Sequence, residues 1–265
     1  MCEAPIGVFD SGVGGLTVYR RIVELLPREA VVYLGDTARV PYGTKSADTV
    51  IRYARSCAGV LLARGVKMIV VACNTASAYA LEALEAELAV PVVGVIAPGA
   101  ATAAGISRGG RIGVIGTPGT IASGAYDRAI RGRRPDARVH AKACPLFVPL
   151  AEEGWTDGPV PLGAAQAYLE ELRAAAVDTL VLGCTHYPLL AGVIGAVMGE
   201  GVALVDSARE TARAVAKVVV ERELLRKSST RPDHRFLVSD DPENFMRIGR
   251  RFLDDVLPAV EWVDF

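Results

Sequence analysis

The feature that most restricts the fold of this chain is an internal repeat. The stretch Leu180-Val181-Leu182-Gly183-Cys184-Thr185-His186-Tyr187-Pro188 echoes the earlier Val70-Val71-Ala72-Cys73-Asn74-Thr75-Ala76-Ser77. Each copy is a short apolar run that closes on a cysteine and passes into Asn or Thr, the pattern of a buried strand feeding a helix N-terminus. The likeness extends further. The separation of matched positions widens from 106 residues (Ile6 to Ile112) through 108 (Pro41 to Pro149) to 111 (Cys73 to Cys184). Duplication followed by small insertions leaves a drift of this kind.

Between the repeats the chain alternates strand and helix. Apolar runs at 6–10, 31–34, 68–72 and 91–96 read as strands, and so do 112–116, 139–143, 179–182 and 202–205. Helical spacing falls between them: Leu16, Tyr19, Ile22, Val23 and Leu26 share one face, as do Val50, Tyr53, Ala54, Cys57 and Leu61, with Gly65 closing the second helix. Thr75 is the expected cap of the helix after Cys73, and Ser207 of a helix running to about 225. This alternation predicts an α/β protein of two similar domains, each a parallel-sheet βα sandwich related by pseudo-twofold duplication. Functional groups then belong at the carboxyl ends of the strands, in the interdomain cleft. The expected first domain is 1–97 with the returning tail 207–265, and the second is 98–206. The tail, with a strand at 236–238, a helix at 244–253 and an extended run at 260–263, is too short to bury a core of its own.

Composition narrows the function. With 265 residues, 51% of them hydrophobic, a substantial core is available, and the formal net charge of -1 gives no footprint for nucleic acid or an acidic membrane surface. Neither is expected as a partner. The run 88–106 is broken by Pro91, Gly94, Pro98 and Gly99, so no membrane span is expected. Five cysteines without disulfide-like spacing, and no leader before the first strand, point to the reducing cytoplasm.

A strand-tip cysteine at a helix start is exposed to unpaired N–H groups, which lower a thiol from its free value of about 8.5. Two in matched copies point to a symmetric site, with one group on each face of a substrate. Cys57 on an apolar helix face reads as structural, Cys2 as a terminal thiol, and Cys144 lacks the strand-to-helix context. Asp10 ends an apolar strand, where a charge is costly unless it is hydrogen-bonded or working. The loop Gly12-x-Gly14-Gly15 resembles a dinucleotide fingerprint, but Thr17 stands where its third glycine belongs. His186, one of three histidines, lies two residues after Cys184 and is placed to tune or relay a proton. Glu152 and Glu153 are both candidates to hydrogen-bond it. Cys-x-His without a Cys-x-x-Cys pair is not a zinc spacing, so no metal is expected. No cofactor is expected either, because pyridoxal phosphate needs a Schiff-base lysine beside a phosphate cradle, and Lys45 has neither.

The segments 6–17 (IGVFDSGVGGLT), 35–46 (GDTARVPYGTKS), 70–77 (VVACNTAS), 113–117 (GVIGT), 147–154 (FVPLAEEG) and 183–190 (GCTHYPLL) together resemble the glutamate racemase family, within the cofactor-independent aspartate/glutamate racemase superfamily. The likeness runs from the N-terminus through 205–208. It implies interconversion of L- and D-glutamate, with D-glutamate supplied to bacterial peptidoglycan. By position, Cys73 and Cys184 match the family's catalytic thiols, and Asp10, Glu152 and His186 its assisting acids and bases. Asp10, Ser11, Pro41, Tyr42, Gly43, Asn74, Thr75, Thr117, Thr185 and His186 match its substrate-contacting positions. The histidine after Cys184-Thr185 is the glutamate-type signature. For L-to-D conversion Cys184 is expected to abstract and Cys73 to donate. The expected assembly is a homodimer. The competing readings are a binding protein that closes on an amino acid without chemistry, and a one-thiol hydrolase; neither accounts for the second, matched cysteine.

Overall fold

The computed structural model describes residues 2–253, 257 and 259–265. The first half contains β1 (Ile6–Asp10), α1 (Leu16–Leu25), β2 (Val31–Gly35), α2 (Ala47–Ala63), β3 (Met68–Val71), α3 (Asn74–Glu87), β4 (Val92–Gly94) and α4 (Ile96–Ile106). The second contains β5 (Arg111–Gly116), α5 (Pro118–Ala122), α6 (Ala125–Arg131), β6 (Arg138–Ala143), α7 (Phe147–Glu153), α8 (Pro159–Ala174), β7 (Thr179–Gly183), α9 (Ala191–Met198) and β8 (Ala203–Asp206). Then come α10 (Ser207–Glu221), β9 (His234–Val238), α11 (Pro242–Leu253) and β10 (Val260–Trp262).

The strands form two all-parallel sheets, ordered β10-β9-β2-β1-β3-β4 and β6-β5-β7-β8. The run β2-β1-β3-β4 has the same order as β6-β5-β7-β8, so the duplication read from the spacing of matched residues is a duplication of sheet topology. The tail extends the first sheet: β9 pairs with β2, Tyr33 opposite Phe236, and β10 pairs with β9. Its buried Phe236, Leu237 and Val238 need that sheet for cover.

Parallel strands covered by helices on both faces are apolar on both faces, and period-two alternation divides their side chains among three cores. Ile6, Val8, Met68, Val70, Ile112, Val114 and Val181 point into one shared core with α1, α4 and α10. Phe9, Ile69 and Val71 face α2 and α3, and Ile115, Leu180 and Leu182 face α8 and α9. Because the shared core joins the inner sides of both sheets, the strand ends of the two halves are held against one another. Among the described residues no helix is long and apolar enough to cross a membrane.

Three local expectations are corrected. The strand expected at 91–96 stops at Gly94, and Ile96 already begins α4. The cap of α3 is Cys73 rather than Thr75: its Sγ accepts from the Ala76 N–H. The cap of α10 is Asp206 rather than Ser207, because the Asp206 carboxylate accepts from the Ala208 N–H at 2.9 Å while Ser207 donates to the Leu182 carbonyl. In each of the two caps the polar strand-tip residue itself satisfies the exposed helix N–H groups.

Candidate active site

Neighbouring strands β1 and β3 end in Asp10 and, two residues past β3, Cys73; neighbouring β5 and β7 end beside Thr117 and Cys184. A cavity of about 160 Å³ lies between these ends. It is lined by Ser11, Pro41, Tyr42, Gly43, Cys73, Asn74, Thr75, Thr117, Cys184, Thr185 and His186, all of them anticipated from the sequence. Asp10 and Glu152 stand behind its wall. Thr44, Pro118, Pro145, Val148 and Pro149 complete the lining.

Cys184 Sγ lies 3.8 Å from His186 Nδ1, and His186 Nε2 lies 2.9 Å from Glu152 Oε1. The choice between Glu152 and Glu153 is thereby made by geometry. Burial works against charge on the imidazole, but hydrogen bonds to Cys184 and Glu152 outweigh it and raise its pKa to about 10. The two partners thus favour the protonated imidazole beside the Cys184 sulfur. Phe252 of α11 packs edge-on against the ring, centroids 5.4 Å apart, a contact from the tail that no motif announced.

The other thiol has different neighbours. Cys73 Sγ accepts from Ala76 N at 3.4 Å and reaches Ser11 Oγ at 3.7 Å. Burial and then the Asp10 carboxylate dominate, and push the thiol up to about 12. The expectation that the helix start lowers this pKa is overturned. A helix terminus stabilises an anion by up to about 2 kcal/mol, whereas removing one from water costs several. Asp10 itself has 0% exposure; its Oδ2 accepts from Gly12 N at 3.0 Å, and Oδ1 finds no partner among the described residues. Burial raises its pKa in spite of the His186 charge and the N–H groups of Gly12, Gly15 and Ser11.

The polar lining is pre-arranged. Thr75 Oγ1 lies 2.9 Å from Thr117 Oγ1 and 3.2 Å from Thr120 Oγ1, so three hydroxyls share one knot across the two halves. Thr117 also caps α5. Tyr42 lines the cavity, but its hydroxyl is turned away to the buried Asp36 and to Cys57. Its sequence-expected substrate contact is thus left to its ring and backbone. Cys144 is buried, and burial raises its thiol to about 12.

Two strand-tip thiols thus line one cavity, with His186 beside Cys184 and the buried Asp10 near Cys73. The Asp/Glu/Hydantoin racemase family model matches residues 6–215. The chain belongs to that family. It is thus an amino-acid racemase, an isomerase. The glutamate racemase of Geobacter metallireducens is 60% identical over 255 residues, covering 96% of this chain and 94% of that protein. Among solved structures, glutamate racemase isoform RacE1 from Bacillus anthracis superposes with a TM-score of 0.95 at 39% identity, over 98% of this chain and 97% of that one. Glutamate racemase from Francisella tularensis subsp. tularensis SCHU S4, in complex with D-glutamate, gives 0.94 at 37%, over 100% and 98%. In this racemase the two sheets and the duplicated topology are those of its relatives.

Proposed function

We propose that this racemase interconverts L- and D-glutamate by moving the Cα proton between Cys184 and Cys73, without a cofactor, and that the D-glutamate serves peptidoglycan synthesis. The observation that carries this reading is the presence of both strand-tip thiols in the lining of one cavity, Cys184 beside His186 and Cys73 beside Ser11. The D-glutamate in the Francisella tularensis relative supports the choice of substrate.

In the L-to-D direction the Cys184 thiolate, paired with cationic His186, takes the Cα proton from one face. The Cys73 thiol delivers its own proton to the opposite face. This leaves Cys184 protonated and Cys73 as thiolate; the D-to-L reaction begins from that state and runs in reverse. To reset the pair, His186 takes the Cys184 proton on Nδ1 as it passes its own from Nε2 to Glu152, and Asp10, whose raised pKa brings it closer to neutrality, returns a proton to Cys73. Asn74, Thr75, Thr117, Thr185 and Ser11 hold the substrate's carboxylates and ammonium, aided by helix-start N–H groups. Pro41, Tyr42 and Gly43 close one side. Enzymatic deprotonation at so weak an acid requires that these donors meet charge developing in the transition state.

The proposed units are 1–97 with 207–265 and 98–206, hinged where α4 and α10 begin after the equivalent strands β4 and β8. The setting is the cytoplasm and the assembly a homodimer. The test is circular dichroism of L-glutamate and, separately, D-glutamate with purified protein, chelator present and no cofactor added. Decay of both signals to zero is expected. If neither decays, and no deuterium enters Cα from D2O, the protein only binds an amino acid.

A further inference from the structure

Asn74, the residue after Cys73, lines the cavity and is 3% exposed, yet its Nδ2 finds no hydrogen-bond partner among the described residues. Its Oδ1 does: it accepts from the Tyr126 hydroxyl at 2.8 Å. Tyr126 belongs to α6, in the other half of the molecule, and is itself only 3% exposed. Its ring is seated against Gly183, the residue before Cys184, where an added Cβ would stand 3.1 Å from Tyr126 Cε2. One side chain therefore touches the chain beside both thiols.

A carboxamide can present either its oxygen or its NH2 to a ligand, and the two ends are opposite in hydrogen-bonding sense. Burial raises the Tyr126 pKa above its ordinary value, so the phenol keeps its proton, and the hydrogen bond it makes here donates that proton to Asn74 Oδ1. A donor there occupies the oxygen of Asn74 and leaves the nitrogen as the only end available to a ligand. We propose that Tyr126 is a positioning residue for this racemase: it locks the Asn74 carboxamide so that Nδ2 donates to a carboxylate oxygen of the amino-acid substrate. Without the lock, the amide oxygen turned toward the cavity repels the same carboxylate. Tyr126 thereby contributes to selecting an anionic ligand although it does not line the cavity.

The proposal rests on the reading of the site as one for glutamate, and the experiment separates the two. Racemisation kinetics are measured for the wild type, Tyr126→Phe, Asn74→Ala and the double variant, with thermal midpoints to confirm folding. Tyr126→Phe keeps the ring against Gly183 and removes only the donor. Its KM for both enantiomers is expected to rise about tenfold or more, the scale of one hydrogen bond to a charged group, with kcat within about threefold. In the Asn74→Ala background the same change is expected to alter KM by less than about twofold, because the group it acts through is gone. A Tyr126→Phe variant with wild-type KM, or an undiminished loss in the double variant, overturns the positioning role while leaving the glutamate reading intact. A wild type that neither binds nor racemises glutamate overturns both.

Discussion

His186 Nε2 lies 2.9 Å from Glu152 Oε1 while its Nδ1 faces Cys184 Sγ at 3.8 Å, so a single imidazole joins a carboxylate from α7 to a strand-tip thiol. The pKa of about 10 depends on both partners, acting against burial. Since this folded value lies above the ordinary 6.5, the interaction stabilises the fold fully below about pH 6.5 and is lost as pH rises through about 10. Glu152→Gln keeps an acceptor but removes its charge, and the His186 pKa falls. The alkaline limb of kcat/KM is expected to move to lower pH, read from a profile between about pH 7 and 11. An unmoved limb rules out Glu152 as the group that keeps His186 charged.

The two thiols should fail asymmetrically. Cys73→Ala and Cys184→Ala are each expected to abolish racemisation. In D2O, however, Cys73→Ala retains the Cys184–His186 pair and should wash deuterium into L-glutamate without producing D-glutamate, measured by mass spectrometry and circular dichroism. Cys-to-Ser variants should lose on the order of 10²–10⁴-fold, because the hydroxyl is a far weaker acid than the thiol. Substantial racemisation by Cys73→Ala sinks the two-thiol scheme.

Asp10 carries a stability cost that its proposed role in proton transfer accounts for. Its pKa is raised chiefly by burial, so the folded state keeps its proton to a higher pH than the unfolded state does, and stability falls as pH rises from the ordinary carboxylate value through the folded one. At neutral pH Asp10→Asn should therefore raise the thermal midpoint. A shift on the order of 2–4 °C corresponds to about 1 kcal/mol in a chain of this size. The same variant should lose most of its turnover. A lower midpoint with retained activity contradicts both halves of the argument.

The sequence was most legible where chemistry and periodicity coincide. The strand tips of β1, β3, β5 and β7 end in or just before residues that carry chemistry, so Asp10, Cys73, Thr117 and Cys184 could be placed at one end of two sheets. Val92-Val93-Gly94-Val95-Ile96 misled because an unbroken apolar run has no period to separate a buried strand from a helix start. Pro118, Pro145 and Val148 line the cavity with side chains that carry no chemistry of their own, and Thr44 and Thr120 look like ordinary turn threonines. Tyr126 and Phe252 were invisible for a different reason. Their significance lies in which element each helix packs against, and no local pattern encodes that. The protonation states likewise needed the structure, since at Cys73 the helix start and burial oppose each other and only the packed site shows which prevails.

Gly14 offers the sharpest test of how tightly His186 is held. A Cβ there would stand 2.5 Å from both Nδ1 and Cε1 of the imidazole, and closer still to Thr185 Oγ1. The ring has little room to retreat, because Glu152 holds Nε2 and Phe252 packs edge-on against it. Thr17 Oγ1, within reach of both the Gly14 and Thr185 carbonyls, keeps the two loops in register. Gly14→Ala therefore has to displace the imidazole from Cys184, and a displacement of about 1 Å costs on the order of 10²-fold in rate. The expected result is a kcat lowered by about that factor with KM much less affected. Gly59→Ala is the control: this exposed position in α2 has nothing within 4 Å of an added Cβ, and alanine there should be stabilising by about 0.5–1 kcal/mol and kinetically silent. Equal kinetics for the two variants would mean that the contact between Gly14 and His186 places no constraint on the Cys184–His186 pair.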